Sequence, residues 1–332
     1  MERYKEYLSR PTFILIIILL VAVWIAKIFR LETTDYLITI MFFIGIAMSL
    51  NIIMGFAGYV SFGHTVFLGI SGYVFALIVY YNIWLAEMLD MFYGLPIFMI
   101  AILAGAVSAV IAILVGIPVL KLRGAFFAIA TIGLDFAALY IIKAVIPIIN
   151  PEFFGAQIIL PAYALAYKDN VFVAMYLTFA LVLLTNYFVR RSRFGMGLLA
   201  ISEDEDAAEA LGVPTTKYKI LAFALSAFMT GMLGAIFGLN AGGVDENLFN
   251  LAHTIDMIVM IVIGGIGTVM GPLIGSIIYF IIYDTLLVTY PEFNLVILGS
   301  IVAILVLFAP RGIIGIVRGM TIGGRRLRDI IE

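Results

Sequence analysis

Few side chains in this sequence are equipped for chemistry. It holds no cysteine and two histidines, His64 and His253. The missing thiols remove disulfides, thiolate nucleophiles, zinc–thiolate sites and iron–sulfur clusters together. The two histidines stand far apart, with no H-E-x-x-H arrangement, so no metal site is expected. Neither has a recognisable serine partner motif, so no catalytic residue is expected. There is no G-x-x-x-x-G-K-[ST] loop, so the chain itself is expected to bind no cofactor, and any ATP-Mg would sit on another chain. What remains is Asp135, an acid in the middle of a long apolar stretch. An ionisable group there is costly and faces a cavity or a partner. Lys143 lies on roughly the same helical face but beyond i, i+4 reach. Asp135 is therefore a candidate for a pathway or gate, against the plainer reading of a hydrogen-bonded acid at a helix interface. His64 opens another apolar stretch. It either lines a pathway or bonds a backbone group freed by a helix break. Asp256 and Asp284 have no motif around them.

Two apolar stretches are interrupted by glycine: Gly55-Phe-Ala-Gly58-Tyr-Val-Ser61-Phe-Gly63-His64, and Gly264-Gly265-Ile-Gly267-Thr268-Val-Met-Gly271-Pro272. Glycine costs a helix interior about 1 kcal/mol relative to alanine. Close helix packing is one reason to accept that cost. The other is an unwound segment, tolerated at membrane depth only where it is buried in protein or lines a watery cavity. On the second reading Gly58, Ser61, His64, Gly264, Gly265 and Gly267 join Asp135 as candidate pathway residues.

A third feature is the polar segment Arg190 to Lys219. Ser202 is placed to cap a short helix, with Glu205 completing a capping box. Acidic residues in a first turn suit the helix dipole. Ala207, Ala208, Ala210 and Leu211 form a small apolar face, Gly212 supplies a stop and Pro214 prevents continuation. Such a helix is either a solvated connector or a knob for a partner's groove. For the knob, Glu203, Asp204, Glu205 and Asp206 set charge complementarity and Ala207, Ala208 and Gly212 the close fit.

The elements that carry these residues follow from composition. Of 332 residues 64% are hydrophobic and 12% charged, about half the charge of an ordinary soluble domain. That excess of apolar surface suits lipid, not water. About twenty apolar residues cross a bilayer as a helix, and the pattern predicts an all-α polytopic protein of about ten spans. They run from Thr12 to Phe29, Asp35 to Gly55, His64 to Tyr81, Leu95 to Val119, Gly124 to Ile149, Val171 to Val189, Tyr218 to Asn240, Ile255 to Thr268, Gly271 to Thr289, and Asn294 to Phe308. The first is read as a retained span, because its apolar run is long for a signal peptide and lacks a small-residue cleavage site. Lys121 with Arg123, the Arg190–Arg193 cluster and the arginines after Pro310 set one face as cytoplasmic, with both termini there. Lys27 and Arg30 fall outside and run against the rule. The chain reads as a single transmembrane domain, 1–332, with a cytoplasmic loop 190–219. Its net charge of −2 gives no sign of a nucleic-acid partner, which would call for a basic stripe.

Asp206-Ala-Ala-x-x-x-Gly212 resembles the E-A-A-x-x-x-G coupling motif of ABC importer permeases, with Asp in place of Glu. A wider set resembles branched-chain amino-acid ABC permeases of the LivM and LivH type. It comprises Ser49-Leu-Asn51-x-x-x-Gly55-x-Ala-Gly58-x-x-Ser61-x-Gly63-His64, Lys121-Leu-Arg-Gly124, Arg191-Ser-Arg-x-Gly195, Lys217-Tyr-Lys219, Ile263 to Pro272, and Phe308-Ala-Pro310-Arg-Gly312. The Lys-Leu-Arg-Gly block is LivM-like. The resemblance implies a ten-span type II importer fold and an inner-membrane transporter subunit for branched-chain amino acids or related small polar solutes. It implies a second, LivH-like permease, two cytoplasmic ABC ATPases carrying the ATP-Mg, and an external solute-binding protein. The segment 241–256 departs from the family pattern, which leaves the solute open. The alternative from the residues alone is an ion- or proton-coupled secondary transporter using Asp135 and Asp284. An intramembrane enzyme finds no nucleophile–base pair.

Overall fold

The computed structural model describes residues 11–30, 32–82, 93–153, 156–161 and 168–287, with short pieces beyond at 296, 299–300, 312–314, 321–322 and 325–326. Its helices are α1 (Pro11–Ile28), α2 (Thr34–Ile53), α3 (Thr65–Tyr81), α4 (Leu95–Val119), α5 (Ala125–Ile149), α6 (Lys168–Arg191), α7 (Arg193–Glu203), α8 (Glu205–Ala210), α9 (Thr215–Asn240), α10 (Leu251–Gly264) and α11 (Met270–Ile282). Five of them, α2, α4, α5, α6 and α9, are long and apolar enough to cross a membrane; α1, α3, α10 and α11 are shorter apolar helices. Most of the tenth expected span lies outside the described residues, as does most of the basic tail.

α2 and α9 form the centre, with Phe42 of α2 stacked on Phe237 of α9 at 3.9 Å. α9 also crosses α3 closely. A Cβ on Gly234 would stand 2.6 Å from the Leu68 carbonyl oxygen, so glycine is what permits the approach. Ser71 and Ser108 share a 2.6 Å hydrogen bond where α3, α4 and α9 meet. α4 and α5 keep wide apolar faces exposed, Leu103, Val110 and Leu114 on one and Phe126, Tyr140 and Ile148 on the other. Such surface calls for lipid or another membrane chain.

Three expectations need correction. The segment 190–219 is not a loop with one helix: α7 and α8 fill it, and α9 begins at Thr215. The expected outer loop 150–170 ends in helix from Lys168, because Asp169 in the first turn of α6 favours helix there. The eighth expected span keeps its 14 residues but runs four positions earlier as α10, and the ninth is 13 residues long as α11, so each rises only ~20 Å against ~30 Å of hydrocarbon. A π-helical turn, Tyr283–Leu287, extends the second of them. The chain also holds short strands: β1 (Ile158–Ile159) pairs antiparallel with β2 (Gly243–Val244), Ile158 opposite Val244, and Thr321–Ile322 pairs with Arg325–Arg326. The first pair joins two segments that the span count places on one side.

Candidate functional site

Two glycine-rich breaks and the α7–α8 corner meet near one end of the bundle. At the first break α2 stops in a left-handed glycine turn, with Gly58 closing the 5→1 bond of the αL motif. The Tyr59 N–H donates to the Ile53 carbonyl at 3.1 Å and the Gly58 N–H to Met54 at 3.2 Å. Gly58 takes φ +76°, and a Cβ there would sit 3.2 Å from the Ser202 Cβ, so the break lies against α7. The chain then turns back to start α3 at Thr65. His64, wholly buried, is fixed by two serines: Nδ1 lies 3.0 Å from Ser61 Oγ and Nε2 2.7 Å from Ser226 Oγ. Ser226 spends its own proton on the Ser49 carbonyl at 2.6 Å. It must therefore accept from His64, whose Nε2 carries a proton, and in the neutral ring Ser61 donates to Nδ1. His64 thus bonds serine hydroxyls, not the freed carbonyl expected.

At the second break α10 ends at Gly264, and Gly265 and Gly267 take φ +123° and +77°. A Cβ on Gly264 would fall 1.7 Å from the Gly271 carbonyl oxygen, and one on Gly275 2.0 Å from that of Met260. Both glycine readings thus hold here: positive φ makes the turn, and absent Cβ atoms let α10 and α11 touch. The breaks also touch each other. Asn51 donates from Nδ2 to the Thr268 carbonyl at 3.0 Å, and a Cβ on Gly267 would stand 3.0 Å from the Gly55 carbonyl oxygen.

Asp135 is buried on α5 and accepts a 2.6 Å hydrogen bond from Thr65 Oγ1 of α3. The Thr65 N–H donates to Thr254 Oγ1 of α10 at 3.3 Å. Asp135 is therefore brought beside the first break. Lys143 is not its partner: it pairs with Glu246 at the other end of α5. Asp256, also buried, accepts from the Tyr279 hydroxyl at 2.7 Å and ties α10 to α11.

The α7–α8 corner turns on Asp204, extended at φ −159°, which closes α7 and caps α8 by accepting from the Ala207 N–H at 2.9 Å. The expected Ser202–Glu205 capping box does not form. Ser202 lies inside α7 and its hydroxyl donates to the Leu199 carbonyl at 2.7 Å. Glu205 turns away from the helix end for a stronger, charged partner. Its Oε1 accepts from Lys219 Nζ at 2.6 Å, and its Oε2 accepts from the Tyr59 hydroxyl and lies 3.6 Å from Arg123 Nε. Lys219, 4% exposed, spends its other two protons on Tyr59 Oη and the Leu120 carbonyl, both at 3.0 Å. Asp206 pairs with Arg123 at 2.9 Å. Burial pushes the Glu205 carboxyl up, but the bonds from Lys219 and Tyr59 and the charges of Lys219 and Arg123 outweigh it and hold its pKa below the ordinary 4.5. The Arg123 hydrogen bond and charge hold Asp206 low as well. Gly212, at φ +86° with nothing within 4 Å of a built Cβ, ends α8 as expected. Ala208 is buried, whereas Ala207, Ala210 and Leu211 face outward, Leu211 86% exposed.

The sequence reading missed Lys219, Tyr59, Arg123 and Asn51 as functional residues. Its own motif blocks contained all four, but a lysine at the start of an apolar stretch reads as snorkelling. Among the described residues no cluster of histidine, aspartate and glutamate is able to hold a metal ion.

A family model described as the branched-chain amino acid transport system permease component matches residues 32–309. The high-affinity branched-chain amino acid transport system permease protein LivM of Escherichia coli K12 is 25% identical over 337 residues, covering 93% of this chain and 76% of the relative. The corresponding LivH of the same organism is 30% identical over 140 residues, 42% of this chain and 45% of the relative. The fructose import permease protein FrcC of Rhizobium meliloti is 31% identical over 135 residues, 38% and 37%. No solved structure matches the chain.

Proposed function

The chain belongs to the branched-chain amino acid transport system permease family, and from that premise we propose that it moves an aliphatic amino acid, or a related small polar solute, as half of a permease pair. It is a multi-pass, non-catalytic membrane subunit of a bacterial ABC transport system. The observation that carries the specific reading is the outward face of α8, Ala207, Ala210 and Leu211, held at one end of the bundle by the Asp204 cap and the Gly212 stop. In this reading the whole chain is one transmembrane domain of ten spans in the type II importer arrangement, with both termini and the 190–219 segment cytoplasmic. An ABC ATPase docks on α8 beside Glu203, Asp204, Glu205, Asp206, Ala207, Ala208 and Gly212. A second, LivH-like permease completes the pore, two ATPases supply ATP-Mg, and an external binding protein delivers the solute.

The pathway is proposed to open beside the two breaks, at Gly58, Ser61, His64 and Asp135 on one side and Gly264, Gly265 and Gly267 on the other. Ser61, His64, Asp135, Gly264 and Gly265 are closed off by packing within the chain. They reach solute only when helices part, the two-state change that alternating access requires. Leucine uptake into proteoliposomes holding both permeases and the ATPases, with loaded binding protein outside, tests this. ATP-dependent uptake is expected. Gradient-driven uptake by the chain alone would instead make it a secondary transporter working through Asp135.

A further inference from the structure

Five parts of the molecule converge on the Lys219 ammonium. It sits on α9, bonds Glu205 of α8, Tyr59 of the first break and the carbonyl of Leu120 where α4 ends, and through Glu205 it reaches Arg123 ahead of α5. All three ammonium protons are used, so the hub has no slack. Two cations face two carboxylates, Lys219 and Arg123 against Glu205 and Asp206, and the group is balanced in charge. Beside it a cleft of about 470 Å³ opens between the break and α7, lined by Gly58, Tyr59, Arg123, Phe127, Ser202 and Glu205. The α7–α8 segment therefore has room to tilt, while the hub keeps α8 tied to the break as it does.

We propose that Lys219 is a positioning residue for coupling: it carries a displacement of α8 to the first glycine break and to α9. Glu205 on this account acts inward, as the link from α8 to the bundle, while Ala207, Ala210 and Leu211 meet the partner. A buried ion pair is weak evidence for stability, because hydrophobic replacements often serve as well. A hub that joins five elements at one end, next to empty space, is better placed to hold a register between moving parts. The inference rests on the importer reading above.

The test is leucine moved per ATP hydrolysed by the assembled importer in proteoliposomes, for the wild type, Lys219→Met and Tyr59→Phe. The ratio is expected to fall about fivefold or more in Lys219→Met, the lower end of ordinary coupling energies, and less in Tyr59→Phe. A purely structural role lowers uptake and hydrolysis together and leaves the ratio unchanged, and that result overturns the inference. Should Lys219→Met fail to assemble, Tyr59→Phe decides alone, an unchanged ratio again overturning it. A wild type with no ATP-dependent uptake sinks the importer reading instead.

Discussion

The two ends of the bundle handle charge in opposite ways. At the end carrying α7 and α8, Lys219 and Glu205 are 4% and 12% exposed and share their atoms among several elements. At the other end the ion pairs are separate and open: Lys168 with Asp35 at 2.6 Å, both about half exposed, Lys27 with Asp169 at 2.6 Å, and Lys143 with Glu246. Burying a charge costs several kcal/mol unless bonds repay it, so the first end tolerates no missing partner. The second sits in high dielectric, where each pair contributes little. One end is built to hold a geometry, and the other to stay solvated.

The largest consequence is in stability. Lys219→Met leaves the largely buried Glu205 carboxylate with less than its full set of partners and should cost about 3 kcal/mol, the usual loss on breaking a buried pair. Unfolding of the purified chain in detergent measures it. A loss within the range of a surface pair would erase the distinction between the ends.

The long elements behind this contrast were legible because their signal is local. Leu95 to Val119 and the end of α5 at Ile149 match the structure to the residue, since apolar length alone sets them. Gly212 as a stop was equally local. The hub was not legible, because Tyr59, Leu120, Arg123, Glu205 and Lys219 are joined by the fold and not by spacing. The Ser202 capping box failed for the same reason: a charged partner fourteen residues on, Lys219, outbid the cap for Glu205. The eighth span was placed four residues late because Gly265 and Gly267 look apolar enough to continue it, while their positive φ ends α10 at Gly264.

Next in size is Gly212→Asp. It adds a charge beside the α8 face that the ATPase is proposed to close over, where an unpaired charge must be stripped of water, so uptake should drop about tenfold or more. Gly212→Asn has the same shape and tolerates positive φ equally well. It should retain most of the uptake. If the two variants behave alike, backbone strain and not charge is responsible.

A smaller effect is expected with pH. The folded-state pKa of Glu205 lies below its ordinary 4.5, so its stabilising contribution is complete above that value and is lost as pH falls through the lowered one. Asp206 acts with the same sign. Protease cleavage in 190–219 should therefore stay slow from neutral pH down to about 4.5 and accelerate only in stronger acid. Glu205→Gln should abolish most of that acid step. Acceleration already near neutral pH would show that some other group controls the corner.

The smallest effect belongs to the open end. Lys168→Met removes a half-exposed partner of Asp35, and the loss should be within about 0.5 kcal/mol. It should shrink further as salt rises, because exposed charges are screened over about 10 Å at 0.1 M. Lys27→Met is the sharper case. Lys27 donates to both Asp169 and Thr34 at 2.6 Å and lies 5.2 Å from the centre of the Phe172 ring, so it loses more than a single pair. Its pairing with Asp169 also explains how a cation comes to sit on the side where the span count expects few: a carboxylate on α6 neutralises it. The order of loss is then Lys219 well above Lys27, and Lys27 above Lys168, with salt dependence running the opposite way. Equal salt dependence at Lys219 and Lys168 would mean that water reaches the hub, and the two ends would differ only in how many bonds they make.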